Sequence, residues 1–212
     1  VGALRLEQDL AQHVRENMGV YFFVALLFTV GVIFGAVAVK ALTIEQKAEL
    51  MEYLNLFLRD VAEDGQLASQ DLLGQAVWSN LKTVGLIWLG GLTVIGLPLA
   101  LVLLFTKGFA CGFTVGFLVD EISWRGLVVA AAAVLPQSLL LIPAVLMVGV
   151  GATCFALFAA RHGIFSRRAS VAQPFFSYAL FFVVAAALVV VAGLLEAYVT
   201  PVFMRTVTRL VV

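Results

Sequence analysis

The sequence predicts an all-α, polytopic integral membrane protein, one membrane domain over residues 1–212, with about five transmembrane helices and one amphipathic helix outside the bilayer. Three observations carry that prediction. Hydrophobic residues make up 63% of the 212 and charged residues only 12%, where a soluble domain has about 45–50% and about 25%. Mean hydropathy is +1.08, so much of the chain has to face lipid rather than water. The apolar residues gather in long runs, and lysine and arginine gather near particular run ends, as they do in membrane proteins. Thirteen basic and thirteen acidic residues cancel. That leaves no global basic field to attract nucleic acid.

Residues 1–18 form a polar cytoplasmic lead-in, in which Leu6, Leu10, Val14 and Met18 recur every four residues. Span one, 19–39, exceeds the apolar core of a secretory signal, and no small-residue cleavage site follows it. It is expected to be retained. Gly31 and Gly35 in it form a GxxxG pair, which allows close helix packing, within this chain or with a copy of it.

The region 40–80 changes character. Glu45, Glu49, Glu52, Asp60, Glu63, Asp64 and Asp71 face only Lys40, Lys47 and Arg59. Thr43 and Gln46 fit a capping box. Ile44, Lys47, Met51, Leu54, Leu58 and Val61 then follow at three- and four-residue steps, with Glu45, Glu49 and Glu52 on another face. This predicts an extracytoplasmic amphipathic helix over 43–62. Its three glutamates are the first candidates for docking a partner.

Span two is expected over 81–105, kinked near Gly96-Leu97-Pro98, with Asn80 and Lys107 as polar residues at its ends. Gly108, Gly112 and Gly116 then recur every four residues, lining one helix face for packing. Asp120, Glu121 and Arg125 interrupt this stretch, and Pro136 and Pro143 follow. Either 108–119 and 126–135 are half-helices within a broken 108–143 region, or the charged cluster sits at a membrane surface. A fourth span starts near Gln137 and runs through 144–160. A fifth covers 175–195, closed by Glu196. The extracytoplasmic tail, 196–212, has Thr200-Pro201 as the start of a short interfacial helix.

Arg161, Arg167 and Arg168 lie in a short loop without acids, which marks the cytoplasmic side. With Arg5, Arg15 and Lys107 on the same side, the amino end is inside, 40–80 outside and the carboxyl end outside.

No catalytic constellation is visible, so the chain is not expected to be an enzyme. Ser79, Ser123, Ser138 and Ser166 have no neighbouring histidine, and no zinc motif or P-loop occurs. His13 and His162 lack ligand spacing, and Cys111 and Cys154 read as small apolar side chains, so neither a metal nor another cofactor is expected. A transporter normally carries ionisable groups deep in several spans, whereas here Lys107, the Asp120 cluster and Glu196 all read as span ends.

Several segments, taken in order, resemble the stage II sporulation protein M family of endospore-forming bacteria. They are Tyr21-Phe22-Phe23-Val24 before Gly31-Val32-Ile33-Phe34-Gly35, then Leu42-Thr43-Ile44-Glu45-Gln46-Lys47 and Tyr53-Leu54-Asn55. Ile95-Gly96-Leu97-Pro98, Lys107-Gly108 and 112–119 follow. Val134-Leu135-Pro136-Gln137, Leu141-Ile142-Pro143 and Glu196-Ala197-Tyr198 with Pro201 complete the set. The resemblance covers almost the full length. Distant members of the broader family often have asparagine where Lys107 stands, and histidine and glutamate where Gln137 and Leu141 stand, so roles of those groups do not transfer. The resemblance implies a scaffold in the mother cell's septal and engulfing membrane, needed when that membrane surrounds the forespore. It also implies two peptidoglycan-degrading partners, stage II sporulation proteins D and P. The alternative is a small transporter or channel, supported by the glycine-lined, interrupted 108–143 region.

Overall fold

A computed structural model describes residues 17–63, 67–162 and 172–211. Every regular element among them is helical: α1 (Met18–Ala38) with a 3-10 turn (Val39–Ala41), α2 (Ile44–Glu63), α3 (Leu67–Gly91), α4 (Leu97–His162) and α5 (Ala172–Val211). Val24, Val84, Ile87, Leu104, Val145, Val148 and Val189 build the core where four of these helices meet, while Phe22, Ile33, Phe34 and Val37 stay exposed. Large apolar side chains on the outside are costly in water and neutral in lipid.

A straight helix as long as α4 would measure about 99 Å. Instead Cys111 Sγ lies 4.0 Å from Ser138 Oγ, and the Leu104 side chain lies against Gly149. Both pairs are centred near residue 125, so α4 doubles back there into two antiparallel arms. The first arm runs parallel to α1: Gly108 meets Phe28, Gly112 meets Val32 and Gly116 meets Ala36. α3 runs antiparallel to it, since Gly90 abuts Gly96 and Asn80 bonds Lys107. α5 runs antiparallel to the second arm, since Phe155 touches Phe175 while Gly151 lies against Phe181.

Among the described residues, four segments are apolar and long enough to cross a membrane: Met18–Ala41, Leu97–Glu121, Ser138–Arg161 and Tyr178–Leu195. The expectation was about five, and α3 accounts for the difference. It lies within the bundle, but Ser69, Gln70, Asp71 and Gln75 make its first half too polar to count.

Two expected boundaries move. The span read over 81–105 does not exist as one helix. Rather than kinking at Gly96-Leu97-Pro98, the chain reverses between Gly91 and Leu97, held by Thr93 N–H to Gly90 O at 3.3 Å and Gly96 N–H to Thr93 Oγ1 at 3.0 Å. A Cβ on Gly90 would sit 2.9 Å from the Gly96 carbonyl, so this tight turn needs its glycines. Pro98 then falls in the first turn of α4, where its missing N–H costs nothing. Accordingly the glycine repeat at 108–116 is no half-helix: it belongs to a full span begun at Leu97. Likewise, no separate short helix starts at Thr200-Pro201, because α5 continues through it. Its proline removes one backbone bond from a helix otherwise long enough to bear the loss.

α2 begins as the sequence indicates. Thr43 N–H donates to Gln46 Oε1 at 3.0 Å, and Gln46 N–H donates to Thr43 Oγ1 at 3.3 Å. Ile44 is 88% exposed, and Tyr53 and Leu56 are exposed too. The helix leaves the bundle at the end that carries Asp120 and Glu121, while Arg161 lies at the opposite end.

Candidate functional site

Five glycines form one seam between α1 and the first arm of α4. A Cβ at Gly35 would lie 2.7 Å from Phe113 N, and one at Gly116 would lie 2.9 Å from Ala36 Cα. Gly31 faces Phe105 and Phe109, while Gly108 and Gly112 press against the carbonyls of Phe28 and Val32. Backbones this close gain dispersion contacts that side chains would forbid. The seam is closed within one chain.

The centre of the bundle is polar at one level. Lys107 Nζ donates to Asn80 Oδ1 at 2.8 Å. Asn80 is 9% exposed, and Ser138, facing Cys111 one turn along α4, is 7% exposed. Lys107 stands ten residues after Leu97 and fourteen before Glu121 in its span, thus about 15 Å and about 21 Å from the two ends. It does not mark a span end. A lysine after an apolar run resembles a boundary, but the real boundary is the Gly90–Gly96 turn. Asn80, too, lies inside α3 rather than before a span. Of the other polar residues expected at span ends, Gln137 belongs to α4 and Glu196 to α5. Their side chains lie outside the described residues.

A charged group closes the α2 end. Lys47 bonds the Asp120 carboxylate and lies 3.4 Å from Glu121 Oε1. The hydrogen bond to Asp120 is the main reason its ammonium is held above the ordinary lysine value. This pairing spans 73 positions, and sequence spacing gave no hint of it. Glu45, Glu49 and Glu52 are all exposed along α2.

A third contact fixes the end of α3. Tyr178 OH donates to the Trp88 carbonyl at 2.5 Å. The Trp88 ring packs on Phe182 at 4.9 Å and on Tyr178 at 5.8 Å between centroids. Sequence reasoning passed over both residues, since aromatics in apolar runs carry no spacing signal.

Chemically, Lys107 and Asn80 pair with each other inside the bundle, and the end that carries Asp120 presents the exposed carboxylates of α2. Among the described residues, no cluster of three His, Cys, Asp or Glu could bind a metal, and Cys111 and Cys154 are free thiols. No curated protein and no solved structure matches the chain. One family model does, that of stage II sporulation protein M, over residues 24–201.

Proposed function

The chain belongs to the stage II sporulation protein M family, and on that premise we propose that this sporulation-related membrane protein is a non-enzymatic scaffold. It holds peptidoglycan hydrolases, the stage II sporulation proteins D and P, at the mother cell's septal membrane during engulfment of the forespore. The observation that carries this reading is α2. It is tied to the bundle by Lys47, and it extends Glu45, Glu49 and Glu52 into solvent at one end of the molecule. Arg161 at the other end supports a cytoplasmic side there by the positive-inside rule. The exposed carboxylates of α2 then face the wall, where hydrolases work. Removing the gene is expected to arrest engulfment and disperse both hydrolases from the septum. Normal engulfment in the deletion strain would refute the scaffold.

A second reading, a small transporter, draws on Lys107. An ionisable residue at mid-depth in a span is a common feature of solute pathways. Its test is solute flux into vesicles holding the purified protein, which the scaffold reading expects to be absent.

A further inference from the structure

The outer face of α3 does not suit lipid. Gly74, Trp78, Ser79, Lys82, Leu86 and Leu89 share this face and are exposed. Lys82 is nine residues before Gly91, where α3 meets the turn that starts the span at Leu97. That places its Cα about 14 Å from the turn, near the middle of a hydrocarbon layer about 30 Å thick. Its ammonium lies 5.0 Å from the Trp78 ring centroid. Trp78 is a further turn from Gly91, so the side chain does not stretch back toward the nearer surface. The ring offsets only part of the cost of a bare ammonium at that depth. Lys107, at nearly the same depth, is already bonded to Asn80. On the outer face, a Cβ at Gly74 or Gly85 would meet nothing within 4 Å, so another helix can come close.

We propose that this face of α3 docks a transmembrane helix of a partner protein, one that carries an aspartate or glutamate at mid-depth. Charge complementarity selects the occupant: among the described residues the Lys82 ammonium meets the Trp78 ring and no carboxylate, and an acid opposite it makes an ion pair in lipid. A second copy of the chain does not supply it. The four apolar spans hold no acid except Asp120 and Glu121 at the very end of one, and α3 holds only Asp71, near its start. The proposal rests on the scaffold reading and adds a chemical description of what is held.

The test uses the full-length chain in phosphatidylcholine vesicles. The probe is a synthetic leucine-rich transmembrane peptide with one central glutamate, compared with the same peptide carrying glutamine. Energy transfer between labelled chain and peptide reads association. The glutamate peptide is expected to bind about tenfold more tightly, the size of one intramembrane polar contact. Lys82→Leu should abolish the preference, and Lys82→Arg should keep it. Lys82→Glu should reverse it toward a peptide with a central lysine, which decides the matter should Lys82→Leu misfold. Equal binding of both peptides would overturn the proposal, as would a preference lost in Lys107→Met but kept in Lys82→Leu. Such a failure leaves the deletion phenotype untouched, whereas normal engulfment in the deletion strain refutes the scaffold whatever the peptides do.

Discussion

At the scale of single residues, the seam and the aromatic contact make opposite demands. Gly112 has no room for any side chain, because Val32 backbone fills the space. Gly112→Leu is expected to force α1 off α4 and to cost about 3 kcal/mol or more, at or beyond the upper end of ordinary overpacking. Gly85→Ala, where nothing lies within 4 Å, should leave stability unchanged or slightly raised. Thermal unfolding in detergent compares the two, and equal effects would contradict the seam. Tyr178 poses the reverse case, since its hydroxyl is the only polar atom it brings to the core. Tyr178→Phe keeps the ring stack and removes the bond to Trp88 O. A loss of roughly 0.6–2 kcal/mol in the same assay is expected.

At the scale of elements, α2 and α3 are each tied to α4 by a polar contact, Lys47 to Asp120 and Asn80 to Lys107, so each is open to test. The raised pKa of Lys47 fixes a sign. A lysine raised in the folded state stabilises fully below its unfolded value, and that stabilisation disappears as pH rises through the folded value. Attachment of α2 to Asp120 should therefore be insensitive near neutrality and weaken only above the ordinary lysine value of 10.5. Spin labels on α2 and on the first arm of α4 should separate in that range. Lys47→Met should show them apart at every pH, and a matching alkaline step in that variant would contradict the assignment. For α3, a double-mutant cycle of Asn80→Leu and Lys107→Met should give a coupling of about 1–2 kcal/mol. Some of this was legible in the chain. Thr43 and Gln46 announce the start of α2 because a capping box is local. The Gly108 repeat announces a packing face because four-residue spacing is helical. What could not be read was non-local. Lys107 resembles a span end until Asn80, 27 residues away, is placed beside it. The Gly91–Leu97 reversal also hides inside an uninterrupted apolar run.

At the scale of the whole molecule, charge divides the ends: Arg161 at one, and Lys47 with Asp120, Glu121 and the exposed α2 glutamates at the other. A scaffold needs this asymmetry, with an anchor that lipid holds and a polar face that reaches partners. The most direct test follows tagged stage II sporulation protein D in sporulating cells that make either the native chain or a Glu45→Lys, Glu49→Lys, Glu52→Lys variant. The account predicts a septal ring with the native chain and dispersed signal with the variant, although the variant itself stays at the septum. A hydrolase ring that persists when the chain is deleted altogether would contradict it.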